Sequence, residues 1–340
     1  MINSRLFDWY NIDINKNLKI KTHCPRPFDT VLIDKNGSCY LCECTAWLPQ
    51  SVGNLHLQSL DKILNSQTAK ILQDSINDGS YRYCNNNQCS YLLDKSTNFW
   101  TNDKLSPQIK NIRLAIDDSC NLRCPSCRKG LIFIKEGKEF ERRITLADSI
   151  NDWLQTIIHP IKIHIGSDGD PFASYVYRHF MSNTPAKKNI KYSILTNGLM
   201  FKEFNHKIPH IIKNLVDLGI SIDGASQKTY EKLRLGGSWK KINSNLKFIS
   251  ELKKQHNFIF RIHFVVQKEN YNEMEKIIEL GQKYGADRVW LNKIEDWNVM
   301  KNFKEQDIFQ SSDYKLHLNK VKNILENQKN RFVECPTLID

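Results

Sequence analysis

Three cysteines stand close together in the stretch DDSCNLRCPSCRKG, which begins at Asp117. Cys120, Cys124 and Cys127 have the spacing C-x3-C-x2-C. Three thiolates at this spacing can bind three irons of a cubic iron–sulfur cluster and leave the fourth iron open to a substrate or cofactor. A zinc ion completed by a distant His or Cys is the alternative, but zinc sites more often use paired C-x2-C units. The pattern therefore favours an iron–sulfur centre with a reactive position.

The other cysteines form a second group near the start of the chain. The sequence has 340 residues and ten cysteines, and six of them lie in the first 90 residues: Cys24, Cys39, Cys42, Cys44, Cys84 and Cys89. The first residues lack the apolar segment of a signal peptide, and no stretch approaches the roughly 18 apolar residues of a membrane span. We therefore expect a soluble, cytoplasmic protein with no membrane contact. Disulfides are rare in that compartment, so two groups of cysteines suggest two metal or reactive sites.

The chain is basic, with 49 Lys and Arg against 37 Asp and Glu and a net charge of +12. This balance is compatible with an anionic partner, and equally with a lysine-rich solvated surface. No basic block interleaved with aromatic residues is present, so we do not expect nucleic acid to be the partner.

The sequence pattern changes near Asn111, where the elements that must position the cysteine loop begin. Short apolar runs then alternate with amphipathic segments, such as the one that contains Ile150, Trp153, Leu154, Ile157 and Ile158 and the one that contains Met274, Ile277 and Ile278. The predicted strands are residues 112–117, 161–166, 191–196, 218–223, 260–266 and 288–292. Strands that alternate with helices indicate a parallel sheet, and six strands predict an open, partial (β/α)6 barrel. Cys120 follows the first strand, at the carboxyl edge where such folds place their chemistry.

The remaining segments divide the chain into four parts. Residues 1–95 are rich in cysteine and turns, and they contain a predicted hairpin with an Asn-Gly turn around Gly37. A helical pattern follows from Leu60 to Ile76, with Ser59 as its N-cap. We expect residues 96–109 to be a linker, residues 110–295 to be the barrel, and residues 296–340 to be a helix around 316–325 and a tail. The predicted fold class is α/β, with a small cysteine-rich α+β domain before the barrel.

The cysteine motif and the segments behind the next strands resemble the radical S-adenosylmethionine (SAM) superfamily over about residues 110–295. The sequence GSDGDPFAS follows the second strand, where the family has Gly-Gly-Glu-Pro, and it implies that Gly169 and Asp170 bind the amino group of SAM. LTNG follows the third strand and contains Asn197, in a cofactor-binding segment of many members. SIDGASQKTYEKLRLGG follows the fourth strand. The resemblance implies that Ser221 and Asp223 lie near the ribose and that Arg234 meets the carboxylate, which suits a guanidinium fork.

Two further positions concern the adenine of SAM. The sequence FVVQKEN ends the fifth strand, where family members contact adenine through backbone, and this implies a role for Val266. The residue before the third cysteine is often aromatic in the family and packs near adenine. Here that residue is Ser126. Asp170 also differs from the usual Glu by one methylene group.

The amino-terminal cysteines resemble a SPASM module, an auxiliary iron–sulfur domain that usually follows the radical SAM core and here precedes it. The match consists of C-x12-G-x4-C from Cys24 to Cys42, followed by Cys84 and Cys89. It implies one auxiliary [4Fe–4S] cluster held by these four thiols. Cys44 is the alternative to Cys42, because residues 42 and 44 face the same way in a strand. Cys39 and Cys335 are expected to be small hydrophobic residues.

The resemblance implies a reaction and its cofactors. A [4Fe–4S] cluster with an open iron site, SAM and an external one-electron reductant of the flavodoxin or ferredoxin type would generate a 5′-deoxyadenosyl radical. That radical would abstract hydrogen from an unactivated C–H bond of a peptide or protein, or of a carbohydrate-type small molecule. The auxiliary cluster is expected to transfer electrons. The alternatives are an RNA-modifying enzyme of the same superfamily and a non-catalytic iron–sulfur or zinc protein that binds or senses a ligand.

Overall fold

The structure is a computed structural model that describes residues 24–42, 48, 50–85, 89, 107–306, 308–328 and 331–338. Cys44 and residues 96–106 of the expected linker lie outside these ranges. Within them, no helix combines the length and the apolar character that a membrane crossing requires.

The amino-terminal region begins with a short helix and the predicted hairpin. Helix α1 (Arg26–Asp29) leads into β1 (Thr30–Asp34), which pairs antiparallel with β2 (Ser38–Tyr40), and β3 (Gly53–Asn54) pairs with β2. Gly37 turns the hairpin with φ +79°, a left-handed conformation that glycine adopts at little cost. The hairpin predicted around the Asn-Gly pair is therefore present.

The predicted helix between Leu60 and Ile76 is in fact two helices, α2 (Leu60–Leu64) and α3 (Gln67–Asn77). Ser59 occupies the N-cap position of α2, but its side chain makes no capping hydrogen bond. Ser66 lies at the break and accepts a hydrogen bond from the backbone N–H of Ala69. A serine that caps the second helix thus interrupts an apolar pattern that continues through both.

Six parallel strands confirm the partial (β/α)6 barrel. Each strand pairs in parallel with the next along the chain: β4 (Asn111–Ala115), β5 (Ile161–Ile165), β6 (Ile190–Thr196), β7 (Leu215–Ser221), β8 (Ile259–Val266) and β9 (Arg288–Lys293). β4 ends at Ala115, two residues before the predicted end, so Asp117 belongs to the loop that carries the cysteines.

Helices cover the outside of the barrel and bury apolar faces against its strands. They are α4 (Lys138–Thr156), α5 (Tyr175–Asn183), α6 (Phe201–Phe204), α7 (Pro209–Lys213), α8 (Gln227–Leu233), α9 (Trp239–Gln255), α10 (Met274–Lys283) and α11 (Ser312–Asn327). Single turns of 3₁₀-helix occur at Asn205–Lys207, Tyr271–Glu273 and Phe303–Gln306. The helical pattern predicted to reach Ile158 ends earlier, because α4 stops at Thr156 and Ile158 is exposed.

Both ends of the chain add strands to the barrel sheet. In the described residues, ten strands form one sheet in the order β10-β9-β8-β7-β6-β5-β4-β1-β2-β3. β1 pairs in parallel with β4, and β10 (Val333–Glu334), in the segment expected to be a tail, pairs in parallel with β9. Strands of the cysteine-rich region and of the barrel therefore belong to one continuous β-sheet.

Candidate iron–sulfur and cofactor site

The loop that carries Cys120, Cys124 and Cys127 leaves the carboxyl end of β4 and is anchored by ion pairs. The Arg143 side chain, on α4, pairs with Asp117 and lies 2.7 Å from Asp118. Lys35, in the turn of the amino-terminal hairpin, also pairs with Asp118. Although burial opposes it, hydrogen bonds from Arg143 and Lys35 hold the pKa of Asp118 below its ordinary value. The loop is thus fixed from two directions before any metal binds.

Each of the three thiols faces its own side-chain donor. Asn197 Nδ2 lies 3.7 Å from Cys120 Sγ, Arg128 Nη2 lies 3.5 Å from Cys127 Sγ, and Arg234 Nη1 lies 3.9 Å from Cys124 Sγ. The backbone N–H of Leu122 also donates to Cys120 Sγ at 3.4 Å. Donors around the sulfurs favour thiolate ligands and influence the reduction potential of an iron–sulfur cluster.

Burial raises the pKa of two of these thiols. Together with the smaller effect of the Asp170 charge, it raises the pKa of Cys120 to about 11. Burial also raises the pKa of Cys124, while Arg234 opposes the effect. Iron binding would therefore release protons from this loop.

Two adjoining cavities surround the thiols at the carboxyl edge of the sheet. The larger one is about 410 Å³, and its lining includes Cys120, Cys124, Cys127, Asp168, Gly169, Asp170, Asn197, Ser221 and Arg234. The smaller one is about 300 Å³, and its lining includes Cys124, Ser126, Cys127, Asp223, Arg234, Val265, Asn292 and Trp297. The structure thus brings together the three cysteines and the expected SAM-binding residues. Val266 is buried outside both linings, and Val265 faces the smaller cavity instead.

Arg234 lines both cavities and has unused hydrogen-bonding capacity. Its Nη2 atom lies 2.9 Å from Asp223 Oδ2, and Asp223 Oδ1 accepts from the backbone N–H of Val265 at 3.0 Å. Its buried Nε atom has no partner among the described residues. Because buried donors are normally paired, this guanidinium fits an anionic ligand group such as the carboxylate of SAM.

The carboxylate of Asp170 is occupied by the protein itself. It is buried and accepts from the backbone N–H groups of Phe172, Ala173 and Asn197 and from the hydroxyl of Thr196, at 2.7–3.1 Å. It thereby joins the loops that follow β5 and β6. Asp168 lines the same cavity, so it is a second carboxylate that a ligand ammonium group could meet.

Gly169 allows this segment to pass directly over the cysteine loop. Its φ is +66°, and a Cβ atom there would lie 2.5 Å from the backbone oxygen of Ser119. The Asp170 N–H donates to that same oxygen at 2.8 Å. A side chain at position 169 would therefore push the two loops apart.

The structure also gathers the four cysteines expected at the auxiliary site. Burial and, to a smaller degree, the proximity of Cys42, Cys84 and Cys89 raise the pKa of Cys24. Burial and the nearby Cys42 and Cys89 raise the pKa of Cys84 to about 12. The charges of Cys42 and Cys89 thus act on both Cys24 and Cys84, which pack in the same small apolar cluster. Within the described ranges, no three His, Cys, Asp or Glu side chains are arranged to hold a single metal ion.

Tyr81 supports this region from within a small apolar cluster. Its hydroxyl accepts from the backbone N–H of Cys24 at 3.2 Å, and its carbonyl accepts from the backbone N–H of Cys84 at 2.9 Å. Cys39 is fully buried on β2, and Cys335 is half-buried against the main core, so both pack as small hydrophobic residues.

Sequence reasoning missed the residues that support the cysteine loop. Arg143 and Lys35 lie outside the motifs used, and their partners Asp117 and Asp118 are distant in sequence. Arg128 lies in the cysteine stretch but is not part of its C-x3-C-x2-C pattern. The position of Arg128 next to Cys127 was the one sequence feature that could have indicated its contact with the thiol. Nothing in the sequence pattern pointed to Arg143.

Two family models match the chain. The model of the radical SAM superfamily matches residues 116–281, and that of an iron–sulfur cluster-binding domain, SPASM, matches residues 24–90. The probable GTP 3′,8-cyclase of Methanococcus maripaludis is 23% identical over 189 residues, which cover 54% of this chain and 59% of that protein. That of Saccharolobus solfataricus is 21% identical over 234 residues, which cover 66% of this chain and 70% of that protein. The chain thus spans about three fifths of the first relative's length.

Among solved structures, the chain is similar to Streptococcus suis SuiB. With S-adenosylmethionine bound, SuiB has a TM-score of 0.41 and 17% identity, over 64% of this chain and 44% of SuiB. With its precursor peptide SuiA bound, SuiB has a TM-score of 0.43 and 13% identity, over 83% of this chain and 64% of SuiB.

Proposed function

Because the chain belongs to the radical SAM superfamily and carries a SPASM iron–sulfur domain at its amino-terminal end, we propose that it is a radical SAM enzyme. Its reaction would be the reductive cleavage of SAM, followed by hydrogen abstraction from an unactivated C–H bond of its substrate. The cofactors are a [4Fe–4S] cluster with an open iron, SAM, and one auxiliary [4Fe–4S] cluster. An external one-electron reductant of the flavodoxin or ferredoxin type would supply the electron.

One observation carries the proposal: three thiols line the same cavity as a guanidinium whose buried Nε atom has no partner in the described part of the chain. Cys120, Cys124 and Cys127 face the 410 Å³ space that Arg234 also lines. A site that only held metal would not need a buried arginine with a free Nε beside its thiols. This arrangement favours a cluster that receives an anionic cofactor over a non-catalytic iron–sulfur or zinc protein.

The protein's own groups would hold and orient the cofactors. Cys120, Cys124 and Cys127 would hold the cluster, which when bound supplies the electron that converts SAM to methionine and a 5′-deoxyadenosyl radical. Arg234 would orient the SAM carboxylate, and Asp223 keeps that guanidinium in place. Asn197 and Arg128 would donate hydrogen bonds to the thiolates. The apolar core in which Cys120 and Cys124 are buried would limit the access of water to a reactive radical.

The amino-terminal site suits a different task. Four thiols, from Cys24, Cys42, Cys84 and Cys89, would cap every iron of a cubic cluster and leave no open position. A fully capped cluster is better suited to electron transfer than to substrate binding. We therefore propose that this site exchanges an electron with the substrate radical or its product.

The substrate we propose is a peptide or protein, or a carbohydrate-type small molecule. The net charge of +12 also permits RNA, but no feature of the described site favours it over the other two.

Anaerobic reconstitution followed by iron, sulfide and zinc analysis tests the proposal. We expect about eight irons per chain, and about four after Cys120, Cys124 and Cys127 are replaced together by Ala. Addition of SAM should change the electron paramagnetic resonance spectrum of the reduced unmodified protein and leave that of the triple variant unchanged. The matched control is Cys335→Ala, which should retain all the iron. One zinc without sulfide would contradict the proposal, and about four irons in the unmodified protein would remove the auxiliary cluster.

A further inference from the structure

The interior of the partial barrel contains a second and larger space, which we call the floor cavity. It is about 640 Å³ and is lined by side chains that point inward from the strands and by the segment around α1. Several of these strand residues, such as Asn111, Lys162 and Arg261, lie in the amino-terminal halves of their strands. Gly166, Ser167 and Leu195 line both the floor cavity and the 410 Å³ cavity of the cysteine loop. A molecule in the floor cavity would therefore lie next to the proposed SAM site.

Cationic groups predominate in the floor cavity. Its lining contains the cations Arg26, Arg113, Lys162 and Arg261 and the two carboxylates of Asp29 and Asp217. Asp217 already forms an ion pair with Arg261. Burial, followed by the charges of Arg113, Lys162, Arg26 and Arg261, lowers the pKa of His164, which lines the same cavity, to about 3. The cavity thus has two more positive than negative charges at neutral pH.

Unused hydrogen-bonding groups also concentrate in this space. Arg261 Nε, His263 Nε2 and Trp290 Nε1 are buried and have no partner in the described part of the chain, where eight such side-chain atoms occur. They form one cluster: the Arg261 guanidinium lies 4.5 Å from the Trp290 ring centre, and the His263 ring lies 5.0 Å from it. Because buried polar groups are normally satisfied, three unpaired atoms on two neighbouring strands indicate a site built for a polar ligand.

A glycine on the adjoining strand β7 leaves space beside the Arg261–His263–Trp290 cluster. Gly219 on β7 lines the cavity, and a Cβ atom at that position would lie 2.9 Å from His263 Nε2. A larger residue there would occupy the space beside the imidazole. The glycine therefore preserves the opening in front of the unpaired nitrogen.

We propose that the floor cavity binds the substrate and that the substrate is a small molecule with a phosphate or carboxylate group, held by Lys162 and the Arg261–His263–Trp290 cluster. The inference rests on the proposed function, because it places that molecule beside the SAM site. The volume of about 640 Å³ falls within the range of about 300–1,000 Å³ that small-molecule sites occupy. Cations and N–H donors in a confined space select an anionic oxygen group, and a guanidinium binds it through paired hydrogen bonds.

Direct anion binding tests this assignment without any catalytic turnover. Thermal unfolding of the reconstituted protein is followed with sodium phosphate, sodium pyrophosphate or sodium succinate, each against sodium chloride of equal ionic strength. We expect at least one of the three to raise the Tm in a saturable way, because a ligand that binds the folded state stabilises it. Lys162→Met should weaken that binding about tenfold or more, since it removes a charged contact. The matched control, Lys276→Met, changes an exposed lysine on α10 and should bind as the unmodified protein does.

A second variant tests the same site in case the Lys162→Met protein does not fold. Trp290→Phe keeps a ring on β9 and removes only the unpaired indole N–H, and it should also weaken anion binding. If no anion raises the Tm above the chloride reference, or if both variants bind like the unmodified protein, the assignment is wrong.

The source of the anionic group and the proposed function are tested in separate arms. With SAM and dithionite, a metabolite fraction retained on anion exchange should accelerate 5′-deoxyadenosine release at least tenfold, and a neutral or peptide fraction should not. Phosphatase treatment abolishes the effect if the group is a phosphate ester and spares it if the group is a carboxylate. Acceleration by the peptide fraction alone would overturn the small-molecule assignment and leave the proposed function intact. Absence of 5′-deoxyadenosine in every arm would instead contradict the proposed function.

Discussion

Replacing Arg234 separates two roles that this side chain combines in the structure. It forms a buried ion pair with Asp223, it lines the cavity beside the thiols, and its buried Nε atom has no partner among the described residues. Arg234→Ala removes both contacts. Arg234→Lys keeps a positive charge for Asp223 but lacks the fork of donors that can hold a carboxylate and Asp223 together.

The two losses differ in size and in kind. A hydrogen bond between charged groups contributes about 1.5–3 kcal/mol, so loss of the SAM contact should weaken SAM binding by about 10- to 150-fold in Kd. Removal of one partner of a buried ion pair costs about 3–5 kcal/mol of folding stability, because the other charge remains buried and unpaired. We therefore expect Arg234→Ala to lose both SAM affinity and stability. Arg234→Lys should lose affinity and retain most of the stability.

Equilibrium dialysis of SAM against the iron-loaded proteins measures the affinity, and urea unfolding measures the stability. Iron content must match that of the unmodified protein, so that a lost cluster is not mistaken for a lost SAM contact. Arg288→Ala is the matched control, because it breaks an arginine–glutamate pair with Glu334 away from both cavities at the cysteine loop. If Arg234→Lys binds SAM as tightly as the unmodified protein, the guanidinium serves only to hold Asp223, and our assignment of its Nε atom is wrong.

Three further outcomes are expected. Cys84→Ala should disrupt the auxiliary site but leave SAM cleavage measurable, because none of the proposed SAM contacts lies in the first 95 residues; soluble variant protein with an intact open-site cluster and no cleavage would refute this separation. Arg143→Met should lower the free energy of unfolding by about 3–5 kcal/mol, as measured by urea denaturation, because it removes the cationic partner of the buried Asp117 carboxylate and leaves the Ser174 hydroxyl as its side-chain donor; a change below about 1 kcal/mol would contradict this role. Burial, followed by nearby cations, lowers the pKa of His164 and of His263 to about 3, so between pH 6.5 and 3 the unfolded chain binds protons that the folded chain does not. Stability should then fall on acidification through that window by up to about 1.4 kcal/mol per pH unit for each histidine, and His263→Phe should reduce the slope of urea-derived stability against pH.

The strand pattern was predictable because it depends on local sequence. Apolar runs such as residues 161–165 alternate with amphipathic segments, and the parallel pairing of β4 to β9 follows from that alternation. The break between α2 and α3 was not predictable from periodicity, because apolar spacing continues across Ser66 while the backbone starts a new helix there. β10 was missed because its two residues gain their order from pairing with β9, which lies more than 40 residues earlier in the chain.

The cofactor site was predictable where short motifs carry it, and unpredictable where the fold assembles it. The three cysteines of the loop and Arg234 could be proposed from motif order, and the structure places them around one cavity. The donors to the thiols, such as Arg128, depend on side-chain direction rather than on spacing. The floor cavity could not be foreseen, because its cations come from α1 and from three different strands and meet only in the folded barrel.

The most direct test of the account is the release of 5′-deoxyadenosine by the fully reconstituted protein under anaerobic conditions, with SAM and dithionite and without added substrate. We expect slow release, measured by liquid chromatography and mass spectrometry, together with an equal amount of methionine. Cys124→Ala should release none, because it removes one of the three thiols that line the cavity. No 5′-deoxyadenosine from protein that carries its full complement of iron and sulfide would contradict the central claim that this site cleaves SAM.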